Sequence, residues 1–363
     1  MPNEGEASGS FTLKTKHVRI VGTGLIGTSI ALGLAQHGLT VELFDDDAGA
    51  LALAQDLLKN QISEAPVDLV IIATPPSNTL EVLRAELSRN PQAMFIDVGS
   101  VKFKLQQEID RLSDLRVRFL GTHPMAGREV SGPSSAQADL FAGRAWIITP
   151  TKFTSEELTQ EIKSLIELLG ATVYEMTPET HDETMARISH LPQLISSSVA
   201  SLLNEHEFGT ELAGQGLRDM TRIAASDPKL WEQIFIENRD AITQALNDFE
   251  QRLEEFKNAL NTGSSEAITK LIDQGRLGRS KLSGKHGAKP RNYAHLLVVI
   301  KDEPGALSSL FNECASISAN IEDLAIEHSP GQYTGLITLA FSPEDAQRVF
   351  VHLSEKNWNV HLR

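Results

Sequence analysis

The residues that say most about chemistry form a glycine-spaced turn. Gly22-Thr23-Gly24-Leu25-Ile26-Gly27 reads G-x-G-x-x-G, a spacing that is weak by itself. Its context makes it specific. An apolar run ends at Val21. An apolar helix-like stretch follows, with Ile26, Ile30, Ala31 and Leu34. A second run ends near Asp45, 18 residues beyond Gly27. This is the arrangement that holds a dinucleotide. Gly22 allows the tight turn, Gly24 lets backbone approach the pyrophosphate, and Gly27 lets helix and strand pack closely. The pyrophosphate then meets free N–H groups at a helix start. Asp45 stands where a carboxylate accepts from a ribose hydroxyl. Asp45-Asp46-Asp47 would repel a 2′-phosphate, and no arginine follows, so the expected cofactor is NAD.

In such sheets the rest of the site lies at the carboxyl ends of later strands. Three segments qualify: Ala73-Thr74-Pro75-Pro76, Asp97-Val98-Gly99-Ser100-Val101-Lys102, and Gly121-Thr122-His123-Pro124-Met125-Ala126-Gly127. The elements that must position them can be read from periodicity. Residues 17–22, 39–44, 67–73, 94–98 and 117–121 are apolar runs suited to strands buried on both faces. Residues 28–37 and 77–87 are helix-like. Strand–helix alternation implies a parallel sheet with helices on both faces. Residues 146–149 and 172–175 add strands. From Thr177 the chain turns helical: Thr177 and Pro178 start a helix running toward Glu205, and Asp227-Pro228 starts another continuing to about Asn261. Its apolar positions exceed what those helices bury alone, which predicts partner helices from a second subunit. Residues 275–292 are basic and contain glycine, read as a solvated linker or as an arm near the site. The last seventy or so residues read β-α-β-β-α-β, a ferredoxin-like order, with a turn at Ser329-Pro330-Gly331.

Composition bounds the rest. A chain of 363 residues suggests two or three domains. Lys+Arg 33 against Asp+Glu 48 leaves −15, which argues against nucleic-acid or anionic-membrane partners. The single cysteine, Cys314, forms no intrachain disulfide and fits a reducing compartment. The polar start lacks a signal-peptide pattern, and no apolar stretch is long enough to span a membrane. The expected location is the cytoplasm. No metal constellation is seen: His181 and His190 lie nine residues apart, about half a turn out of phase on a regular helix.

In this order, Gly22–Gly27, Asp97–Lys102, Gly121–Gly127, Ser189-His190-Leu191-Pro192 and the stretch from Arg218 to Trp231 resemble the prephenate dehydrogenase family, which includes arogenate and cyclohexadienyl dehydrogenases. The tail, with Asp302-Glu303-Pro304-Gly305-Ala306-Leu307 after its first strand, resembles an ACT domain, a small amino-acid-sensing module. The polar, small-residue start reads as a disordered lead-in at 1–15, and the resemblance implies an α/β Rossmann-type NAD-binding domain over residues 16–176. It implies an all-helical dimerisation and substrate domain over 177–274, a linker at 275–292, and a ferredoxin-like ACT domain over 293–363. It implies oxidative decarboxylation of prephenate, in which hydride leaves C4, the ring alcohol loses its proton and CO2 departs.

On that resemblance His123 is the base, because an imidazole titrates near neutrality, and Ser100 bonds the histidine and the hydroxyl. Ser100 also reads as a helix N-cap. Arg222 pairs a substrate carboxylate, with Arg218 a turn earlier. Trp231 is an aromatic near the subunit junction or plain core. His190 and Gln193 touch the substrate side chain. Gln193 stands where many members have histidine, which leaves prephenate and arogenate both open. Nucleotide contacts fall to Gly22, Gly24, Leu25, Ile26, Gly27, Asp45, Thr74 and Pro75. An aromatic amino-acid effector is expected at Asp302, Gly305, Ala306, Leu307, Asn320 and Ile321. Two rivals remain. A β-hydroxyacid dehydrogenase generally uses a helix-borne lysine, and none lies between Glu175 and Lys229. A nucleotide- and amino-acid-sensing regulator would bind without turnover.

Overall fold

The computed structural model describes residues 13–58, 64–126, 132–205, 209–282, 293–301, 303–328 and 334–362. The chain forms two compact units, residues 1–262 and 263–363. In the first, β1 (His17–Val21), α1 (Leu25–Gln36), β2 (Thr40–Phe44), α2 (Ala48–Leu58), β3 (Leu69–Ile72), α3 (Thr79–Arg89), β4 (Met94–Asp97), α4 (Phe103–Asp110), the short α5 (Ser113–Arg116), β5 (Phe119–Pro124), β6 (Ala145–Thr149), α6 (Glu156–Leu168) and β7 (Thr172–Glu175) build one sheet and its covering helices. The strand order is β2-β1-β3-β4-β5-β6-β7, with every neighbour parallel except β5 and β6. β1 and β3 are buried throughout, as near-continuous apolar strands under two helical layers should be. Val18 and Ile20 share one core with Ile30, Leu34, Leu165 and Ile166. On the other face Val70, Ile72 and Phe95 meet Leu83 and Ile109.

Because β1 lies between β2 and β3, the connections that leave β1 and β3 run in opposite directions. The carboxyl ends of β1 and β3 therefore flank a topological switch point, where such sheets open a crevice. α1 begins at Leu25, three residues earlier than the sequence pattern suggests, since Thr28 N already donates to Gly24 O at 3.1 Å. Of the expected lead-in, residues 1–12 lie outside the described residues. Lys14 and Thr15 are fixed rather than loose, because both amides donate to Glu161 Oε1, at 2.8 and 2.7 Å.

The helical segment comprises α7 (Pro178–Met185), α8 (Leu191–Leu202), α9 (Gln215–Thr221), α10 (Pro228–Glu237) and α11 (Arg239–Asn261). Thr177 Oγ1 accepts from Thr180 N at 3.2 Å and Asp227 Oδ1 from Lys229 N at 2.9 Å, so both expected starts are capped. Neither long helix is continuous. A π turn at Ala186–His190 separates α7 from α8. Pro192 explains it: proline has no N–H for the regular i−4 bond, and a wider turn absorbs the gap. The second helix breaks at Asn238, whose φ of −105° and ψ of 21° leave the helical region, dividing α10 from α11.

The second unit opens with α12 (Ser265–Arg279). The basic stretch expected as a linker therefore starts inside a helix, and residues 283–292 lie outside the described residues. β8 (Ala294–Lys301), α13 (Ala306–Ser316), β9 (Asp323–His328), β10 (Thr334–Phe341), α14 (Pro343–Glu355) and β11 (Asn359–Leu362) follow in the expected β-α-β-β-α-β order. The sheet is antiparallel, ordered β11-β8-β10-β9. Leu296, Val298 and Ile300 alternate inward from β8 onto Leu310 and Val349, the period-two pattern of a half-covered sheet. The turn residues 329–331 lie outside the described residues. Among the described residues, no helix is long and apolar enough to cross a membrane.

Candidate active site

The glycine turn follows from backbone geometry. Gly22 has φ +104°, and a Cβ there would lie 2.4 Å from Ala73 O. A Cβ on Gly27 would lie 2.0 Å from Gly22 O. Only glycine permits this close approach of β1, β3 and α1. At Gly24 a Cβ would meet nothing within 4 Å, which leaves open space beside the start of α1, where an anion is favoured. Thr74 Oγ1, just past β3, is buried without a partner among the described residues. Asp45 Oδ2 accepts from Thr23 N at 2.6 Å and Thr23 Oγ1 at 2.9 Å, and Oδ1 from Asp47 N at 2.9 Å. The carboxylate thus braces the glycine turn, and a carboxylate retains further acceptor sites for a ribose hydroxyl. These residues fit a dinucleotide.

About three strand spacings from β1, roughly 14 Å, β5 carries His123 one residue before its end. Its Nδ1 lies 2.9 Å from His181 Nε2 on α7. His181 Nδ1 is 2.7 Å from Asp182 Oδ1. The Asp182 carboxylate accepts from the amides of Lys102 and Phe103, each at 2.9 Å. Those amides open α4, so the cap that Ser100 was expected to supply comes from Asp182, across the chain. Among the described residues Ser100 makes no side-chain hydrogen bond and His123 Nδ1 is held by His181. Lys102 Nζ pairs with Asp97 Oδ2, both almost wholly buried. Asp97 also takes Gly99 N at 2.9 Å.

Asn238 ties the next part together. Its Nδ2 donates to Asp182 O at 2.9 Å and lies 3.0 Å from His190 Nδ1. Asn238 thus links His190 to the backbone beside His181, across the π turn that separates the two histidines. The His190 ring stands edge-on to Trp231, centroids 6.0 Å apart. Gln193 is buried and donates to Ser197 Oγ at 3.2 Å. Arg218 lies on α9. Arg222 starts a 3₁₀ turn, Arg222–Ala225, that packs against α8. Both arginines are exposed in the single chain.

Burial first, then repulsion from the protonated forms of His181 and His190 and from Lys102, hold the His123 imidazole well below its usual 6.5. Burial also lowers His181, against the opposing pull of Asp182, and lowers His190 to about 4. All three rings are therefore neutral at physiological pH, and His123 keeps a free lone pair there. Such perturbed groups gathered in a cleft mark a functional site.

His181, Asp182 and Asn238 were missed by sequence reading. The available signal was their placement: Pro178, His181, Asp182 and Met185 form the inward stripe of α7, so two polar residues occupy positions where periodicity calls for apolar ones.

In the second unit Gly305, Ala306 and Leu307 line a cavity together with Ile300, Lys301, Glu303, Ser308, Ile326, Gly335 and Ile337. Asn320 instead donates to Glu322 Oε1 at 2.9 Å, and Ile321 packs on the core, so neither lines it. Asp302 lies outside the described residues.

The chain matches the family models described as prephenate dehydrogenase, nucleotide-binding domain, over residues 22–175, and prephenate dehydrogenase, dimerization domain, over residues 177–274. It is 28% identical to a prephenate dehydrogenase of Bacillus subtilis (strain 168), over 91% of this chain and 93% of that one. A crystal structure of prephenate dehydrogenase from A. aeolicus, in complex with hydroxyphenyl propionate and NAD+, shares 29% identity at TM-score 0.68, covering 75% of this chain and all of that one. A crystal structure of Synechocystis arogenate dehydrogenase shares 27% identity at TM-score 0.63, covering 73% and 99%. With both domain models matched in order around this histidine cluster, the chain belongs to the prephenate dehydrogenase family of NAD-dependent oxidoreductases.

Proposed function

We propose that this enzyme converts prephenate to 4-hydroxyphenylpyruvate, in tyrosine biosynthesis, with His123 as the general base. The observation that carries the reading is a neutral, half-buried imidazole at the carboxyl end of β5, on the crevice side of the sheet that forms the glycine turn. Gly22, Gly24, Leu25, Ile26, Gly27, Asp45, Thr74 and Pro75 hold NAD, which when bound accepts the hydride from C4 of the substrate. His123 takes the ring hydroxyl proton as the C–O bond becomes a carbonyl. The C1–carboxylate bond breaks, its electron pair makes the ring aromatic, and the oxygen regains the proton from His123. Ser100 orients the hydroxyl. Arg222, assisted by Arg218, pairs a substrate carboxylate through a planar guanidinium. His190, Gln193 and Trp231 surround the side chain.

Arogenate is the second reading, left open by Gln193 and by the similarity, at 27% identity, to the Synechocystis enzyme. A neutral amide offers both donor and acceptor to an amine or a keto group. NADH formation with each substrate decides the matter: turnover with prephenate above arogenate is expected, the reverse ratio selects the second reading, and binding without turnover of either overturns the enzyme reading.

The working division is residues 16–176 for NAD, 177–274 for dimerisation and 293–363 for regulation, in the cytoplasm. Met220, Leu230, Ile236, Leu253 and Leu260 are exposed large apolar side chains of the helical segment in the single chain, which supports a homodimer formed through it. The C-terminal unit is an ACT domain that binds an aromatic amino acid in the Gly305–Leu307 cavity. Calorimetry with tyrosine and phenylalanine tests this, and no heat with either removes the effector role.

A further inference from the structure

The hydrogen-bond chain behind His123 uses two groups to which the proposed reaction gives no part. Their hydrogens follow from what each atom can offer. The Asp182 carboxylate accepts only. It takes two backbone amides, and His181 Nδ1 at 2.7 Å is therefore the nitrogen that carries hydrogen. His181 is fully buried, and burial keeps its ring neutral. A neutral ring protonated at Nδ1 has a bare Nε2, which accepts. The hydrogen in the 2.9 Å contact then belongs to His123 Nδ1. That leaves His123 Nε2 bare. It has no partner among the described residues and is not among the sealed polar atoms.

We propose that His181 and Asp182 are positioning residues that lock His123 in its Nδ1–H tautomer, so that Nε2 is the atom that takes the substrate's hydroxyl proton. This rests on His123 being the base. In the step, the O–H bond breaks, an N–H bond forms at Nε2, and the oxygen electron pair forms the carbonyl as hydride leaves C4. His123 becomes an imidazolium, keeps Nδ1–H on His181, and returns the Nε2 proton to the ring oxygen as the electron pair of the broken C1–carboxylate bond closes the aromatic ring and turns the carbonyl into a phenol. His181 neither gains nor loses a proton. The same logic orients the histidine of serine hydrolases, where the wrong tautomer lowers kcat about 10⁴-fold. Asp182 suits the role because its carboxylate caps α4, while its carbonyl is held by Asn238.

Asp182→Asn in the full chain tests it. The Asn amide donates to His181 Nδ1, pushes the His181 hydrogen to Nε2, and thereby places the His123 hydrogen on Nε2. The expected result is kcat down about 10²–10⁴-fold, NAD affinity by fluorescence titration within a fewfold, and a ¹⁵N NMR spectrum showing His123 Nε2 change from bare to protonated. His181→Gln, which keeps an acceptor near His123 Nδ1, should retain kcat within about tenfold, whereas His181→Leu should lose it. If the Asn variant does not fold, the unsubstituted chain still decides: hydrogen on His123 Nε2 overturns the proposal. Loss of kcat in His123→Asn together with wild-type kcat in Asp182→Asn and His181→Leu overturns it while leaving the base in place. Retained kcat in His123→Asn overturns the base and the proposal together.

Discussion

Two buried polar clusters cross between the sheet and the elements packed on it, and they are built on opposite principles. In the first, Arg19 of β1 donates to Glu86 of α3 through Nε at 2.8 Å and Nη2 at 3.3 Å. Arg89 and Asn90 complete the same carboxylate at 2.8 and 3.0 Å, and Glu42 pairs with the Arg19 Nη1. The two guanidinium groups lie over the Phe44 ring, 5.1 and 5.6 Å from its centroid. Every arginine is opposed by a carboxylate, the neutral Asn90 amide only adds a donor, and no proton has anywhere to move. In the second cluster the rings of His123, His181 and His190 are neutral; His123 bonds His181, and Asn238 links His190 to the Asp182 carbonyl. One end, His123 Nε2, is open. A fully paired cluster holds structure, whereas a neutral one with an open end can move a proton.

The largest expected effect separates the two by kinetics. His123→Asn should lower kcat about 10²–10⁴-fold with the fold and the nucleotide affinity retained; single-turnover rates check it, and an unchanged rate would erase the distinction. Next comes Glu86→Ala. Removing the buried carboxylate leaves Arg19 with only the half-exposed Glu42 and should cost about 3 kcal/mol of stability, read by urea unfolding, while kcat per folded molecule holds. Loss of kcat without loss of stability would reverse the roles assigned to the clusters.

A third expectation concerns pH. An imidazole held below its unfolded value binds its proton later in the folded chain than in the unfolded one. Protons then favour unfolding, so stability is full above pH 6.5 and falls as the pH drops from 6.5 toward about 4, the value for His190. His123 and His181 act in the same direction. The acid limb of kcat/KM should for the same reason lie well below 6.5. A urea midpoint that does not move between pH 6.5 and 5 would contradict this. The Arg19 cluster should give no such slope near neutrality. The smallest effect is chemical: burial pushes the Cys314 thiol up to about 11, so the native chain should react with a thiol reagent at pH 8 far more slowly than a free thiol.

The cofactor side of the crevice was legible from the sequence because its requirements are local. A positive φ at Gly22, close contact at Gly27 and an acid at the end of β2 all fall within 24 residues of chain (22–45). The strands were legible for the same reason, since burial on both faces leaves near-continuous apolar runs. The breaks were not. Pro192 was visible, but whether its missing hydrogen bond kinks, ends or widens a helix depends on what packs beside it, and here it gives a π turn. Asn238 looked like an interior helix residue until its amide was needed by Asp182 and His190.

By itself, then, the sequence determined where the glycine turn lies, where the sheet runs and which histidine stands at the end of β5. Those properties depend on the turn-forming, apolar or ionisable character of residues close in the chain. Only the tertiary structure decided which partner His123 has, what caps α4 and which rings stay neutral. Hydrogen-bond pairing and desolvation are set by groups brought together from 58 residues away, the separation of His123 and His181, and a linear order of letters carries no distance between them.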